Sequence, residues 1–202
     1  MPDTRQLVLA SSSLYRRRLL KRLEIPFRWA APKFEERAPR AHEKPSAYTI
    51  EMSLGKAQSL IRRYPDALIL GSDQVAVCAD EILRKPRTVK RAVDQLLKLS
   101  GREHRLVGAV VLIDARSGRK WSSAVTSRLR IRPLTRRQAR NYIERERPLD
   151  CAGSYKTEGL GITIFDSMRG DDPTALEGMS LISVCRFLRE AGVDLLGKNH
   201  DG

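Results

Sequence analysis

A chain of 202 residues with 41% hydrophobic content can bury a sizeable core, as one large domain or as two small lobes that share it. No apolar run approaches a membrane span, and the N-terminal Met-Pro-Asp-Thr-Arg-Gln lacks the apolar core of a secretion signal, so a cytoplasmic protein without a membrane partner is expected. The formal net charge of +14 gives salt-sensitive binding to polyanions of any kind, but with 5% aromatics there is no evident stacking platform for single strands, and small polyphosphates are drawn as readily as nucleic acid.

Cysteine and histidine usage narrows the chemistry further. Cys78, Cys151 and Cys185 are odd in number and widely spaced, which supports neither a disulfide framework nor a thiolate zinc site. With three histidines in all, a Ser-His-Asp or Cys-His machine is poorly supported.

Leu7-Val8-Leu9-Ala10 has the length and residue types of a buried strand, and three serines lead from it into an arginine-rich segment with leucines at helical spacing. A strand that turns through small residues into a helix presents backbone N–H groups and the positive end of the helix dipole, a ready phosphate site. With Ser13 as N-cap, Leu19, Leu20 and Leu23 form the inward stripe. Arg16 falls in the middle of that stripe, Arg17 to one side and Arg18 outward. A cation so placed needs an anion, and Arg16 meets either a ligand or a structural carboxylate.

Phe27 to Ala31 reads as a second strand and the Pro-flanked Glu35-Glu36 as loop. On residue type these acids read as solvated surface, although carboxylates beside a phosphate site also hold hard divalent cations. Ser46 is expected to cap a helix to about Arg63, with Ile50, Leu54, Ala57 and Ile61 inward. Lys56 sits at the rim, where it either snorkels to water or reaches over into a cleft, and Gly55 is a weak point. Ala67 to Ser72 is the second buried strand, with Asp73-Gln74 at its carboxyl tip. Ligands of α/β sheets bind beyond such tips, and an Asp there is equally suited to capping a turn.

Val75 to Cys78 and Glu81 to Leu83 flank Ala79-Asp80 as a hairpin that ends at Arg84-Lys85-Pro86. Thr88 starts a helix with Val93, Leu96 and Leu97 inward, stopped at Ser100-Gly101. Two long β segments, His104 to Asp114 and Lys120 to Arg132, turn at Ser117-Gly118, and the second sets Leu129 and Ile131 against a solvated basic face. Thr135 opens a helix to about Arg145, and glycine-dense sequence from Asp150 to Phe165 places Lys156 and Glu158 in a constrained loop. A final helix runs from near Ser180 to Gly192, before a polar tail at 197–202 that is expected to be disordered. Together these elements predict an α/β protein with a mixed, twisted sheet flanked by helices.

Taken together, the motifs resemble the Maf family of nucleoside triphosphate pyrophosphatases from Leu7 to about Ala191. Leu9-Ala10-Ser11 with Arg16 is similar to the family's Ser-Arg phosphate loop, Glu36 to its acidic position and Lys56-Ala57 to its helix lysine. Asp73 is similar to its catalytic acid, Lys85-Pro86 to its second lysine motif, and Ala152-Gly153-x-Tyr155 with Glu158-Gly159 to its late glycine loop. Gly71-Ser72-Asp73-Gln74-Val75, the Lys-x-Glu-Gly run and Tyr15 resemble the branch that hydrolyses 7-methyl-GTP, in which Tyr15, Gln74 and Glu158 match positions that set substrate choice. Leu14, Gly55, Arg84 and Ser180 depart from the family pattern of proline, acid, glycine and proline, and none removes a charged catalytic residue.

The resemblance implies one Maf-like catalytic domain over residues 1–196, with two lobes around a cleft as in the inosine-triphosphatase type. It implies hydrolysis of 7-methyl-GTP to 7-methyl-GMP and pyrophosphate, which removes modified nucleotides from the pool. Asp73 is then the base, Arg16, Lys56 and Lys85 stabilise the transition state, Ser11 holds a phosphate, and Glu36 helps bind or orient a divalent cation, Mg²⁺ or Mn²⁺, whose full ligand set stays open. A homodimer with a nucleotide substrate and no specific nucleic acid is implied as well. The competing reading is a non-catalytic basic regulator of cell division, or a nucleic-acid-binding protein. The presence of Asp73 and both lysines argues against a nucleotide-binding module with dead chemistry.

Overall fold

The computed structural model describes residues 5–197. Strands β1 (Leu7–Ala10), β2 (Phe27–Ala30), β3 (Leu68–Cys78), β4 (Glu81–Leu83), β5 (Glu103–Asp114), β6 (Lys120–Ile131) and β7 (Phe165–Arg169) form one sheet in the order β2-β1-β3-β5-β6-β7, with β4 paired to β3. The β1 strand runs parallel to β2 and β3, while every pairing from β3 onward is antiparallel, so the sheet is mixed as expected. Helices α1 (Leu14–Lys21), α2 (Pro45–Gln58), α3 (Val89–Leu99), α4 (Arg136–Glu146) and α5 (Leu181–Glu190) flank it. None of the described helices is long and apolar enough to cross a membrane.

The three long strands β3, β5 and β6 run through two sets of cores. At one end, Leu19 and Leu20 of α1 and Val184 and Leu188 of α5 pack with Leu9, Leu70 and Leu112, while Ala57 of α2 packs with Val8, Ile69 and Val111. At the other end, Leu96 of α3 and Ile143 of α4 pack with Ala76, Leu106 and Leu129. Each such leucine or isoleucine contributes about 1.5–3 kcal/mol on burial. Sequence elements from both ends meet where β1 gives out.

That meeting point corrects the reading of Asp73. It does not stand at a strand tip: β3 continues without a break to Cys78, because β5 accompanies it through Asp73↔Ala109 and on to Val77↔Arg105. The strand that does end at this level is β1, whose last register with β3 is Leu9↔Leu70. Asp73 therefore lies beyond the carboxyl end of the parallel part of the sheet, and the polar Ser72-Asp73-Gln74 occupies the gap.

Local signals placed most helix starts correctly. Ser13, Thr88, Thr135 and Ser180 all cap their helices by accepting a backbone N–H, Thr135 within a capping box. The α2 helix differs: it begins at Pro45 with Lys44 in the cap position, not at Ser46, since proline at N1 forgoes only an N–H that would be orphaned anyway. It also stops at Gln58, with a 3₁₀ turn at Ile61–Arg63 beyond. Strand β7 and the 3₁₀ turn Pro173–Glu177 were not anticipated. Ser180 is held at the start of α5 by its hydroxyl, which donates to Asp172 Oδ2 at 2.6 Å and accepts the Ser183 N–H at 3.1 Å. Of the tail expected to be disordered, residues 198–202 lie outside the described residues.

Candidate active site

The turn from β1 into α1 forms one wall. Ser11 is buried, and its hydroxyl accepts the Ser13 N–H at 3.1 Å, which fixes the tight path of the loop. Arg16, one turn into α1, donates from Nε to the Gly178 carbonyl at 3.1 Å. Among the described residues it forms no ion pair, so the structural-carboxylate alternative is not realised. Burial holds its guanidinium below the ordinary arginine value, against the pull of nearby Asp73 and Glu36. Arg17, beside it, stacks its guanidinium 4.1 Å over Trp29 instead.

The opposite wall is α2 pressed against β3. A Cβ on Gly71 would sit 2.1 Å from the Ser53 carbonyl oxygen, so only glycine lets this helix lie so close to the strand. The close approach carries Lys56, 6% exposed, over the sheet edge and into the cleft. Its Nζ donates to Asp73 Oδ1 at 2.6 Å and to Glu36 Oε1 at 2.7 Å. Lys56 therefore does not snorkel to water. Nor is Glu36 mere solvated surface: burial pushes its carboxyl up, but the Lys56 hydrogen bond and the charges of Lys56, Lys85 and Arg16 together hold it below the usual range. Gly55 is no defect either, since a Cβ there would meet the Phe34 ring at 2.2 Å. Phe34 thus packs where a side chain would stand, and the loop bearing Glu36 is seated on α2.

Lys85 follows β4 and completes the ring of cations. Its ammonium is pushed below the ordinary lysine value, first by burial and then by Arg16, with Glu36 opposing. Ser11, Tyr15, Arg16, Glu36, Lys56, Gln74, Lys85 and Glu158 all line one cavity of about 380 Å³, within the range of small-molecule sites. Asp73, 7% exposed, faces an adjoining cavity of about 360 Å³ that shares Glu36, Gln74 and Lys85 with the first. All nine residues singled out in the sequence therefore converge on one region.

Tyr15 and Glu158 also line the first cavity. Burial raises the Tyr15 hydroxyl above its usual value, while a hydrogen bond from Lys156 opposes this. The Lys156 Nζ stands 5.8 Å from the Tyr15 ring centroid, tethered by the Glu146 carbonyl at 2.7 Å and its carboxylate at 3.5 Å. Gln74 donates its side-chain N–H to the Ala175 carbonyl at 2.6 Å, which ties β3 to the 3₁₀ turn.

Several cavity residues were missed in the sequence. Lys156 was noticed only as part of a glycine-rich loop, and Arg87 carried no signal beyond its place after Lys85-Pro86. Arg87 holds a left-handed φ of 66°, an uncommon conformation for a non-glycine residue.

Among the described residues no cluster of three or more His, Cys, Asp or Glu could cage a metal. Asp73 and Glu36 nevertheless suit Mg²⁺ or Mn²⁺, hard ions that enzymes hold through one or two carboxylates with substrate phosphates supplying the remainder.

The family described as Maf-like protein matches residues 6–191. A 7-methyl-GTP pyrophosphatase of Chromohalobacter salexigens is 45% identical over 192 residues, covering 95% of this chain and 99% of that protein. Another, from Pseudomonas aeruginosa, is 44% identical over 195 residues, covering 96% of this chain and 100% of its own. Among solved structures, the Ham1 protein of Staphylococcus aureus superposes with a TM-score of 0.47 at 12% identity, covering 63% of this chain and 72% of its own. With the family match spanning nearly all of the described fold, and relatives of this identity over almost their full length, the chain belongs to the Maf family.

Proposed function

We propose that this protein hydrolyses 7-methyl-GTP to 7-methyl-GMP and pyrophosphate. The observation that carries the reading is Lys56 clamped between Asp73 and Glu36, on a cavity that Arg16, Lys85, Tyr15 and Glu158 also line. The relatives' names supply the substrate class, and the cavity supplies groups suited to each part of it.

In this mechanism Asp73 accepts a proton from water as the water oxygen bonds to the α-phosphorus and the α–β bridging bond breaks. The electron pair of that bond leaves with pyrophosphate. Negative charge grows on the departing phosphates, and Lys85 and Arg16, neither with an ion-pair partner among the described residues, are free to meet it. Lys56 holds a different role. Pinned by two carboxylates, it fixes the direction of Asp73 rather than binding phosphate by itself. Ser11 and the N–H groups that open α1 receive a phosphate. A divalent cation held by Glu36 and Asp73 together with phosphate oxygens would supply further counter-charge.

At the base, Tyr15 offers a π face to the cationic 7-methylguanine ring, and Glu158 accepts from its N1–H and N2–H₂ edge. Residues 1–196 act as one catalytic domain, in the cytoplasm and as a homodimer, to clear modified nucleotides. Pyrophosphate release by the purified protein with Mg²⁺ or Mn²⁺ across a nucleotide panel tests the reading. Faster turnover of 7-methyl-GTP than of GTP, dTTP or UTP is expected. Absence of pyrophosphate release from every nucleotide would leave the basic-regulator reading in its place.

A further inference from the structure

The adjoining cavity carries cations to which the proposed reaction assigns no role. Besides Lys85 its wall carries Arg84, Arg87 and Arg91. Among the described residues the only acids on that wall are Asp73 and Glu36, and Lys56 already pairs with both, at 2.6 and 2.7 Å. Among the described residues none of the three arginines has an ion-pair partner. Exposed arginines elsewhere are of both kinds, Arg105 pairing with Asp80 at 3.0 Å and Arg140 with Glu144 at 2.8 Å while Arg130 and Arg137 have no ion-pair partner among the described residues, so what sets these three apart is their place around one cavity.

The backbone that carries these arginines is held while their side chains are not. The Arg84 carbonyl accepts the Gln95 side-chain N–H at 3.0 Å, the Arg87 N–H donates to the Leu149 carbonyl at 3.0 Å, and the Arg91 N–H is capped by Thr88 Oγ1 at 3.3 Å. Pro86 is buried between them, and Arg87 sits at a left-handed φ of 66°. Three guanidinium forks are thus anchored at the root around a space that opens from the catalytic cluster. Arg84 stands where the family pattern has glycine, and the proposed reaction gives it no task.

The two cavities share Glu36, Gln74, Lys85 and Arg87. Since Lys85 and Arg87 line both cavities, a phosphate chain bound in the first and extended past them would meet Arg84 and Arg91 on the wall of the second. We propose that this second chamber is a subsite for distal phosphates, so that the protein binds polyphosphate chains of more than three phosphates, nucleoside-linked or inorganic. Guanidinium groups present paired N–H donors to phosphate oxygens, which suits a flexible polyanion better than a single rigid acid. The inference builds on the triphosphate path of the proposed function, and its test is arranged to fail separately.

The full chain is titrated calorimetrically, without divalent metal and at fixed salt, with inorganic pyrophosphate and with inorganic tetrapolyphosphate. The unmodified protein is expected to bind tetrapolyphosphate about 10-fold tighter than pyrophosphate, the equivalent of about 1.4 kcal/mol. The exposed pair Arg84→Gln and Arg91→Gln is expected to erase most of that ratio. Arg130→Gln with Arg137→Gln, which removes the same charge from exposed sites away from the cavity, is expected to keep it. Equal affinity for the two probes, or equal loss of the ratio in both double variants, overturns the subsite. Hydrolysis of 7-methyl-GTP is followed in parallel. Turnover without the affinity ratio removes the subsite alone, whereas the ratio without turnover upholds the subsite and removes the proposed reaction.

Discussion

Two groups of polar side chains gather against the same antiparallel strands, around Asp73 of β3 and His104 of β5, and are treated in opposite ways. Near the end of β1, the Lys56 ammonium stands 2.6 Å from the Asp73 carboxylate and 2.7 Å from that of Glu36, which is exposed. Farther along β5, His104 sits 2.8 Å from the Tyr155 hydroxyl, with their rings edge to face at 5.4 Å and Phe165 against the tyrosine at 5.0 Å. There burial pushes the imidazole down to about 4 and the phenol up, so both stay neutral, and His104 Nδ1 has no hydrogen-bond partner. Burial without a ligand drives titratable groups neutral. Burying charge is expensive even when paired, so an ion-paired triad beside an open cavity is what makes this region the candidate site.

The sharpest way to break this contrast is Asp73→Asn. The amide is nearly isosteric and still accepts a hydrogen bond from Lys56, whose other partner, Glu36, remains. A kcat lower by about 100- to 10,000-fold, with little change in Tm, is expected from loss of the base. Full turnover in a folded variant with unchanged substrate affinity would remove Asp73 from the mechanism.

The neutral pair is probed through stability. The folded His104 value of about 4 lies below the unfolded value of 6.5. As pH falls below 6.5 the unfolded chain takes up the proton first, so the contribution to stability, fully present at neutral pH, is lost progressively down to about pH 4. The loss amounts to at most about 3 kcal/mol. His104→Gln does not titrate, and urea unfolding at pH 7 and pH 4.5 should show a shallower decline in that variant. Identical declines would mean that His104 is hydrated and titrates normally in the fold.

A smaller effect distinguishes the two lysines of the site. Lys85 is depressed by burial and by Arg16, so it loses its proton at lower pH than a free lysine. The alkaline limb of kcat/KM, which reports the free enzyme, should therefore fall below the ordinary lysine range. Lys85→Arg keeps the charge and should move that limb to higher pH while lowering the maximum by about 10-fold, since a fork replaces a compact ammonium. A limb that stays in place assigns it to another group.

What was legible in the sequence was what local chemistry decides. Leu7–Ala10 is a strand because an apolar run bounded by serines has no better use, and Ser13, Thr88 and Thr135 cap helices through hydroxyls a few residues from the N–H they accept. The positions of Arg16, Lys56 and Asp73 on their elements could be read the same way. Whether they met could not, because the contacts are between distant segments. Glu36 became a site residue through Lys56 and through Phe34 lying on Gly55, neither of which its own loop reveals. Asp73 read as a strand end because Ser72-Asp73-Gln74 is polar, yet β5 supplies a hydrogen-bonding edge that carries the strand through. The β7 strand, Phe-Asp-Ser-Met-Arg, is short and mostly polar, and it exists through pairing with β6 across a register shift at Arg130 and Ile131.

The finest comparison concerns the base end of the cavity, where two cations compete for one ring. Methylation at N7 makes guanine cationic, and a cation over tyrosine is worth about 0.5–2 kcal/mol according to how dry the site is. Lys156 already stands 5.8 Å from the Tyr15 centroid, held in place by Glu146. In the proposed reading the preference for 7-methyl-GTP over GTP is a difference: attraction of the charged base to Tyr15 and Glu158, less its repulsion by Lys156. Tyr15→Ala is expected to lower the ratio of kcat/KM values by about fivefold, near the middle of that energy range. Glu158→Gln removes the counter-charge but keeps an acceptor, and should lower the ratio by a smaller factor of about three, as befits an exposed carboxylate. Lys156→Met should move the ratio the other way, since it removes only the repulsion. Were Lys156→Met instead to lower the ratio alongside Tyr15→Ala, the lysine would be holding the tyrosine in place rather than opposing the base, and selectivity would rest on the shape of the cavity rather than on charge.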